Sequence, residues 1–219
     1  MAHLIKKMEQ LRDQKYMSDL NKSRYLRSLR EQGDIDYCLA RLLHYGFYFT
    51  FEAKYFFQQS LEKYLKAWAL KKSTRNFQDV DAIETYFKKN FGHKLLNLWE
   101  ACRKKYPKSN IFLEKRKADF LKREFDEQLV SERARYPQKQ FGGHPVSFTE
   151  EYISTVDEII YYLCGLGSKR RICPLNITED KCNFWCEVFN FDRKPKKWNR
   201  EILARTFYYE NKFFEFRSD

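Results

Sequence analysis

The chain has 219 residues, carries 42 Lys plus Arg against 30 Asp plus Glu, and places an aromatic ring at 18% of its positions. With only 7 Gly and 5 Pro, such aromatic density excludes collagen-like and low-complexity disorder and argues against a turn-rich barrel or sandwich. No apolar run is long enough to span a bilayer, and MAHLIKKMEQLRD lacks the unbroken apolar core of a secretory signal, so a cytoplasmic chain without membrane contact is expected.

Residues 3–32 read as one or two short helices. Leu4, Met8 and Leu11 fall at i, i+4 and i+7, and Leu20, Tyr25, Leu26 and Leu29 continue an irregular stripe. Gly33 reads as a stop and Asp34 as the cap of a helix running to about His44. After a bend at Gly46, a longer helix is predicted to about Lys72. Its buried face is Phe57, Leu61, Tyr64, Leu65 and Trp68, with the Glu62–Lys66 pair on the solvent side. Residues 73–79 read as a loop, followed by a short helix ending near Asn90 and Gly92.

A further helix carries Leu95, Leu98, Trp99 and Cys102 on one face and ends at Pro107. Residues 109–135 read as one long charged helix striped by Phe112, Leu113, Phe120, Leu121, Phe125 and Leu129. PQKQFGGHP at 137–145 is a break. Ser147 and Glu150 fit a capping box for the next helix, which Gly165 and Gly167 close. After 168 the helical period is lost, and an irregular tail, or one with a strand or two, is expected.

The fold class expected is therefore all-α: an up-and-down bundle of about five helices over 34–167, preceded by a basic helical arm at 1–33 and followed by a basic aromatic tail at 168–219. The charge is uneven along this order. Residues 103–142 carry 12 basic and 6 acidic side chains, 143–192 carry 4 and 8, and 34–102 carry 10 and 8. Basic middle and ends around an acidic segment attract polyanions and also suit self-association.

Three local patterns carry a resemblance. The segment YFFQQSLEKYLKAWAL offers Gln58, Gln59, Glu62, Lys63, Leu65, Lys66 and Ala67; GHKLLNLW offers His93, Leu95 and Leu98; RARYP offers Arg135, Tyr136 and Pro137. In this order the chain resembles the HEPN family (higher eukaryotes and prokaryotes nucleotide-binding) over about 34–165. The resemblance implies a helical bundle that dimerises and works in RNA-linked prokaryotic defence or toxin–antitoxin systems, as an RNase or as a non-catalytic binding module. Active members carry an Arg followed four to six residues later by a His. There the His moves a proton at the ribose 2′-hydroxyl and the Arg holds phosphate charge. Here Arg41 precedes His44 with two residues between, Arg135 precedes His144 with eight, and no Arg lies at the right distance before His93. The departure removes the usual basis for cleavage.

The residues left as candidates are few. A rearranged acid–base site would draw on Arg135, His144 and His93; read structurally, His93 is a helix-start residue bonded to backbone. Arg133, Arg135, Lys169, Arg170, Arg171, Lys194, Lys196, Lys197 and Trp198 mix cations with rings, as single-stranded RNA requires. Cys173, Cys182 and Cys186 fall short of the twice-paired spacing of a zinc module, and Cys38 and Cys102 read as core. Glu150, Glu151, Asp157 and Glu158 read as helix-start or solvent-face acids. No Walker, Rossmann or hydrolase motif is present, and no cofactor is expected. The expectation is a dimeric module that engages RNA or a nucleotide, with a protein partner encoded nearby. The alternatives are a metal-independent RNase with a rearranged Arg/His site and a protein adaptor or antitoxin-like scaffold without nucleic-acid contact.

Overall fold

The computed structural model describes residues 2–47, 50–127 and 149–164. Among them all regular structure is helical, as expected: α1 Ala2–Phe47, α2 Thr50–Lys71, α3 Val80–Phe91, α4 Leu95–Lys105, α5 Asn110–Leu113, α6 Lys115–Leu121 and α7 Glu150–Cys164. α6 runs into a wider π turn over Lys122–Asp126. No described helix is long and apolar enough to cross a membrane. The tail after 168 lies outside the described residues.

Three expectations about boundaries are corrected. Gly33 does not stop a helix and Asp34 does not cap one: α1 continues through both for 46 residues. No Pro occurs before Pro107, and the cost of one interior Gly, about 1 kcal/mol against Ala, is offset by the contacts Gly33 permits. The segment from 109 is not one helix, since Glu114 takes an extended ψ of 100° between α5 and α6. The cap of α7 is Thr149, whose Oγ1 accepts from the Tyr152 N–H at 3.1 Å; Ser147 lies outside the described residues.

The chain divides into two compact units. The first holds described residues 2–33 and 58–127. Its core is built by helical stripes that the 3.6-residue period makes continuous: Leu61, Tyr64 and Leu65 of α2, Ile83 and Phe87 of α3, and Leu95, Leu98, Trp99 and Cys102 of α4. Phe112, Phe120, Leu121 and Phe125 join them, whereas Leu113 of the expected stripe is exposed.

Polar contacts fix the loops of this unit. Ser18 Oγ accepts from Phe77 N at 2.8 Å, and Asn21 Nδ2 donates to Gln78 O at 2.9 Å, which pins the loop before α3 onto α1. Asp79 caps α3 by accepting from Ala82 N at 2.7 Å. Gly92 ends α3 at φ 58°, and its N–H donates to Lys88 O at 3.2 Å.

The C-terminal end of α2 is closed by α4. An α-helix leaves its last four carbonyls without partners inside the helix. Here Tyr106 Oη donates to Trp68 O at 3.0 Å, Lys105 Nζ to Ala69 O at 2.6 Å, and Ser73 N to Leu70 O at 2.9 Å. The Lys105 ammonium also opposes the negative end of the helix dipole.

The second unit holds described residues 34–47, 50–57 and 149–164. Its buried side chains include Tyr37, Leu39, Ala40 and Leu43 of α1, Ala53 and Phe57 of α2, and Ile153, Val156, Ile159, Ile160 and Leu163 of α7.

Candidate functional site

In the first unit the structure brings together residues from two of the three patterns read in the sequence. Glu62 of α2 points one carboxylate oxygen at Lys66 Nζ, 2.5 Å away, and the other at His93 Nδ1, 3.4 Å away. Glu62 and Lys66 lie one helical turn apart, whereas His93 arrives from the link between α3 and α4. The Glu62 side chain is 5% exposed, so the pair is not a solvent-side pair as expected; the period that places Leu61 and Leu65 inward carries Glu62 with them. His93 is 49% exposed. One ring nitrogen faces the carboxylate and half the side chain meets solvent, which suits an imidazole held for hydrogen bonding or proton transfer.

His93 does not cap α4. Asp126 does that, accepting from Leu95 N at 2.8 Å and Leu96 N at 3.0 Å. A carboxylate placed there satisfies two orphan amides and complements the positive end of the helix. Burial raises the pKa of Asp126, and the two amide bonds work against that rise. Fixing the first turn of α4 in this way fixes the approach of His93 to Glu62. Tyr25 of α1 donates to Glu84 Oε1 at 3.4 Å. Burial, and then Glu84, raise the pKa of its phenol, so Tyr25 is a hydrogen-bond donor here and not a base.

In the second unit a buried ion pair joins α1 to α7. Arg41 Nη1 lies 2.5 Å from Asp157 Oδ2, and Tyr37 Oη donates to Asp157 Oδ1 at 2.6 Å. The guanidinium also sits 4.7 Å from the Tyr45 ring centroid. Asp157 is thus no solvent-face acid, unlike exposed Glu150 and Glu151. Burial acts to lower the pKa of Arg41, but Tyr37 and Asp157 outweigh it, and the side chain keeps its charge. Both Asp157 oxygens are engaged within the core, so the cluster is a packing lock. His44, near Arg41 in sequence, stands edge-on to Tyr45 at 4.5 Å.

The remaining candidates, Arg133, Arg135, His144, Lys169, Arg170, Arg171, Lys194, Lys196, Lys197, Trp198, Cys173, Cys182 and Cys186, lie outside the described residues. So do Tyr136 and Pro137. Among the described residues no three Cys, His, Asp or Glu side chains gather as a metal site would need, and Cys102 is buried against Leu65 O.

The sequence reading missed a group of cations at the ends of α2 and α4. Lys71, Lys72 and Arg75 fall in the nearly balanced stretch 34–102, while Lys104, Lys105 and Lys108 fall in the basic stretch after it. The carbonyl contacts of Lys105 and Tyr106 bring the two groups side by side. No protein-family model, no curated protein and no solved structure matches the chain.

Proposed function

We propose that this chain is a HEPN-like helical bundle that acts as an RNA- or nucleotide-engaging, dimeric binding module in prokaryotic defence or toxin–antitoxin biology, with a protein partner encoded nearby. The observation that carries the reading is the meeting of Glu62, Lys66 and His93. They belong to two patterns about 30 residues apart, and the resemblance treats those patterns as parts of one domain. The all-helical described residues and the +12 net charge support it. The absence of an Arg at the family's spacing before His93 favours binding over cleavage.

The test is binding of a labelled RNA across a salt series. Affinity falls steeply with salt where several phosphates are neutralised, and absence of binding at low salt sinks the reading in favour of a protein adaptor. Half-exposed His93 against a buried carboxylate favours one second reading, a metal-independent RNase. Incubation with RNA in EDTA tests it: cleavage that His93→Ala abolishes supports it, and intact RNA rejects it.

A further inference from the structure

At the ends of α2 and α4 the described residues hold more positive charge than the fold uses. Lys105 Nζ bonds Ala69 O, and Lys72 Nζ lies 3.4 Å from Lys105 O; these two cations close helix and chain ends. Arg75, Lys104 and Lys108 are exposed and make no ion pair among the described residues. The nearby carboxylate, Glu100, is taken by Arg103 at 2.7 Å. Rings alternate with the cations. Lys72 Nζ stands 4.5 Å from the Tyr106 ring centroid, and Arg75 Cζ stands 4.7 Å from that of Tyr86. The crowding is felt at Lys105, whose pKa is lowered by burial and by Arg75, with Cys102 opposing.

Cations without a fold partner, set beside rings that already carry a guanidinium, match a ligand with spaced negative charges and flat faces. A guanidinium held on a ring by one face offers the other to a base, and ammonium groups around it meet phosphates. A duplex hides its base faces and would use only the charges. We propose that the ends of α2 and α4 form a binding surface for single-stranded RNA, in which Lys72, Lys104 and Lys108 meet phosphates and Arg75, laid on Tyr86, stacks a base. The proposal rests on the RNA-engaging reading above and names the surface that does it.

Fluorescence anisotropy of a labelled oligouridylate with the full chain, repeated across a salt series, tests it. The triple variant Arg75→Gln/Lys104→Gln/Lys108→Gln is expected to bind about tenfold more weakly at low salt. Its slope of log K against log salt is expected to be shallower by about 2, since each lost single-strand contact removes about 0.7. A control triple elsewhere in the same unit, Arg24→Gln/Arg27→Gln/Lys89→Gln, changes the net charge equally and is expected to bind as the wild type does. All six positions are exposed, so both triples retain the fold. Equal losses in the two triples overturn the surface while leaving RNA binding in place. A wild-type chain that binds no RNA overturns both. A duplex that displaces the strand at equal nucleotide concentration overturns the single-strand assignment.

Discussion

The Tyr64 ring lies so close over Gly33 that a β-carbon added there would come within 3.2 Å of Tyr64 Cε2. Beside it, Ser60 Oγ donates to Gly33 O at 2.8 Å. The absent side chain at 33 is what lets α1 and α2 approach. Gly33→Ala sets a gain in helix propensity of about 1 kcal/mol against displacement of a fully buried ring, and is expected to change stability little. Gly33→Val is expected to lose about 1–3 kcal/mol, the usual cost of overpacking. Chemical denaturation separates the two; a valine variant as stable as the wild type would rule out the close approach.

The Arg41–Asp157 pair makes a different demand. Removing one partner leaves a buried charge alone, so Asp157→Ala is expected to lose about 3–5 kcal/mol. The double change Arg41→Met/Asp157→Leu removes both charges and is expected to recover much of that loss. Tyr37→Phe, which takes only one hydrogen bond from Asp157, is expected to cost about 1–2 kcal/mol. Urea midpoints of the variants measure this order, and a double variant worse than Asp157→Ala contradicts it.

Asp126 holds two amides at the start of α4. Asp126→Ala is expected to lose about 1–2 kcal/mol and Asp126→Asn less, since the amide oxygen still accepts one bond. Amide exchange at Leu95 and Leu96 reports the lost cap directly, and unchanged protection there argues against it.

Stability is expected to fall in alkali through Cys102. Burial pushes its thiol from 9.0 up to about 12. The folded chain therefore keeps a proton that the unfolded chain releases above pH 9. The resulting stabilisation is complete below pH 9 and is lost as pH rises towards 12, with a limiting slope of about 1.4 kcal/mol per pH unit. Denaturation of wild type and Cys102→Ala from pH 8 upward checks this: the two curves should converge with rising pH, and parallel curves refute it.

His93 offers a separation of fold from function. Because half of its side chain is exposed and its contact with Glu62 is long, His93→Ala is expected to change stability by no more than about 0.5 kcal/mol. Glu62→Ala, which strips a buried carboxylate from Lys66, is expected to cost about 1–2 kcal/mol. Thermal melts read both. A large loss in His93→Ala would make the residue a packing element.

The stripes of α2 and α4 were legible because Leu61, Tyr64, Leu65, Leu98, Trp99 and Cys102 repeat at the helical period, and a period survives any tertiary context. Gly33 was misread because a lone glycine punctuates or packs according to what stands opposite, and Tyr64 lies 31 positions away. Asp157 was misread because Asp157–Glu158 looks like a surface pair until Arg41, 116 positions earlier, is placed beside it. The Glu62–Lys66 spacing was correctly read as an ion pair, but spacing does not say which side of the helix is covered. The cations at the ends of α2 and α4 escaped notice because charge counted along the chain divides at 102, whereas the helix ends meet in space.

The closure of α2 by side chains of α4 ties two stretches of chain into one unit of opening. Trp68 O and Ala69 O give up their partners only if Tyr106 and Lys105 move, so the last turn of α2 cannot fray alone. Backbone amides in the final turns of both helices should therefore exchange with solvent together, with a common free energy of opening and a common response to denaturant. The surface carried by those ends would then be presented as a rigid platform and not as two loose termini.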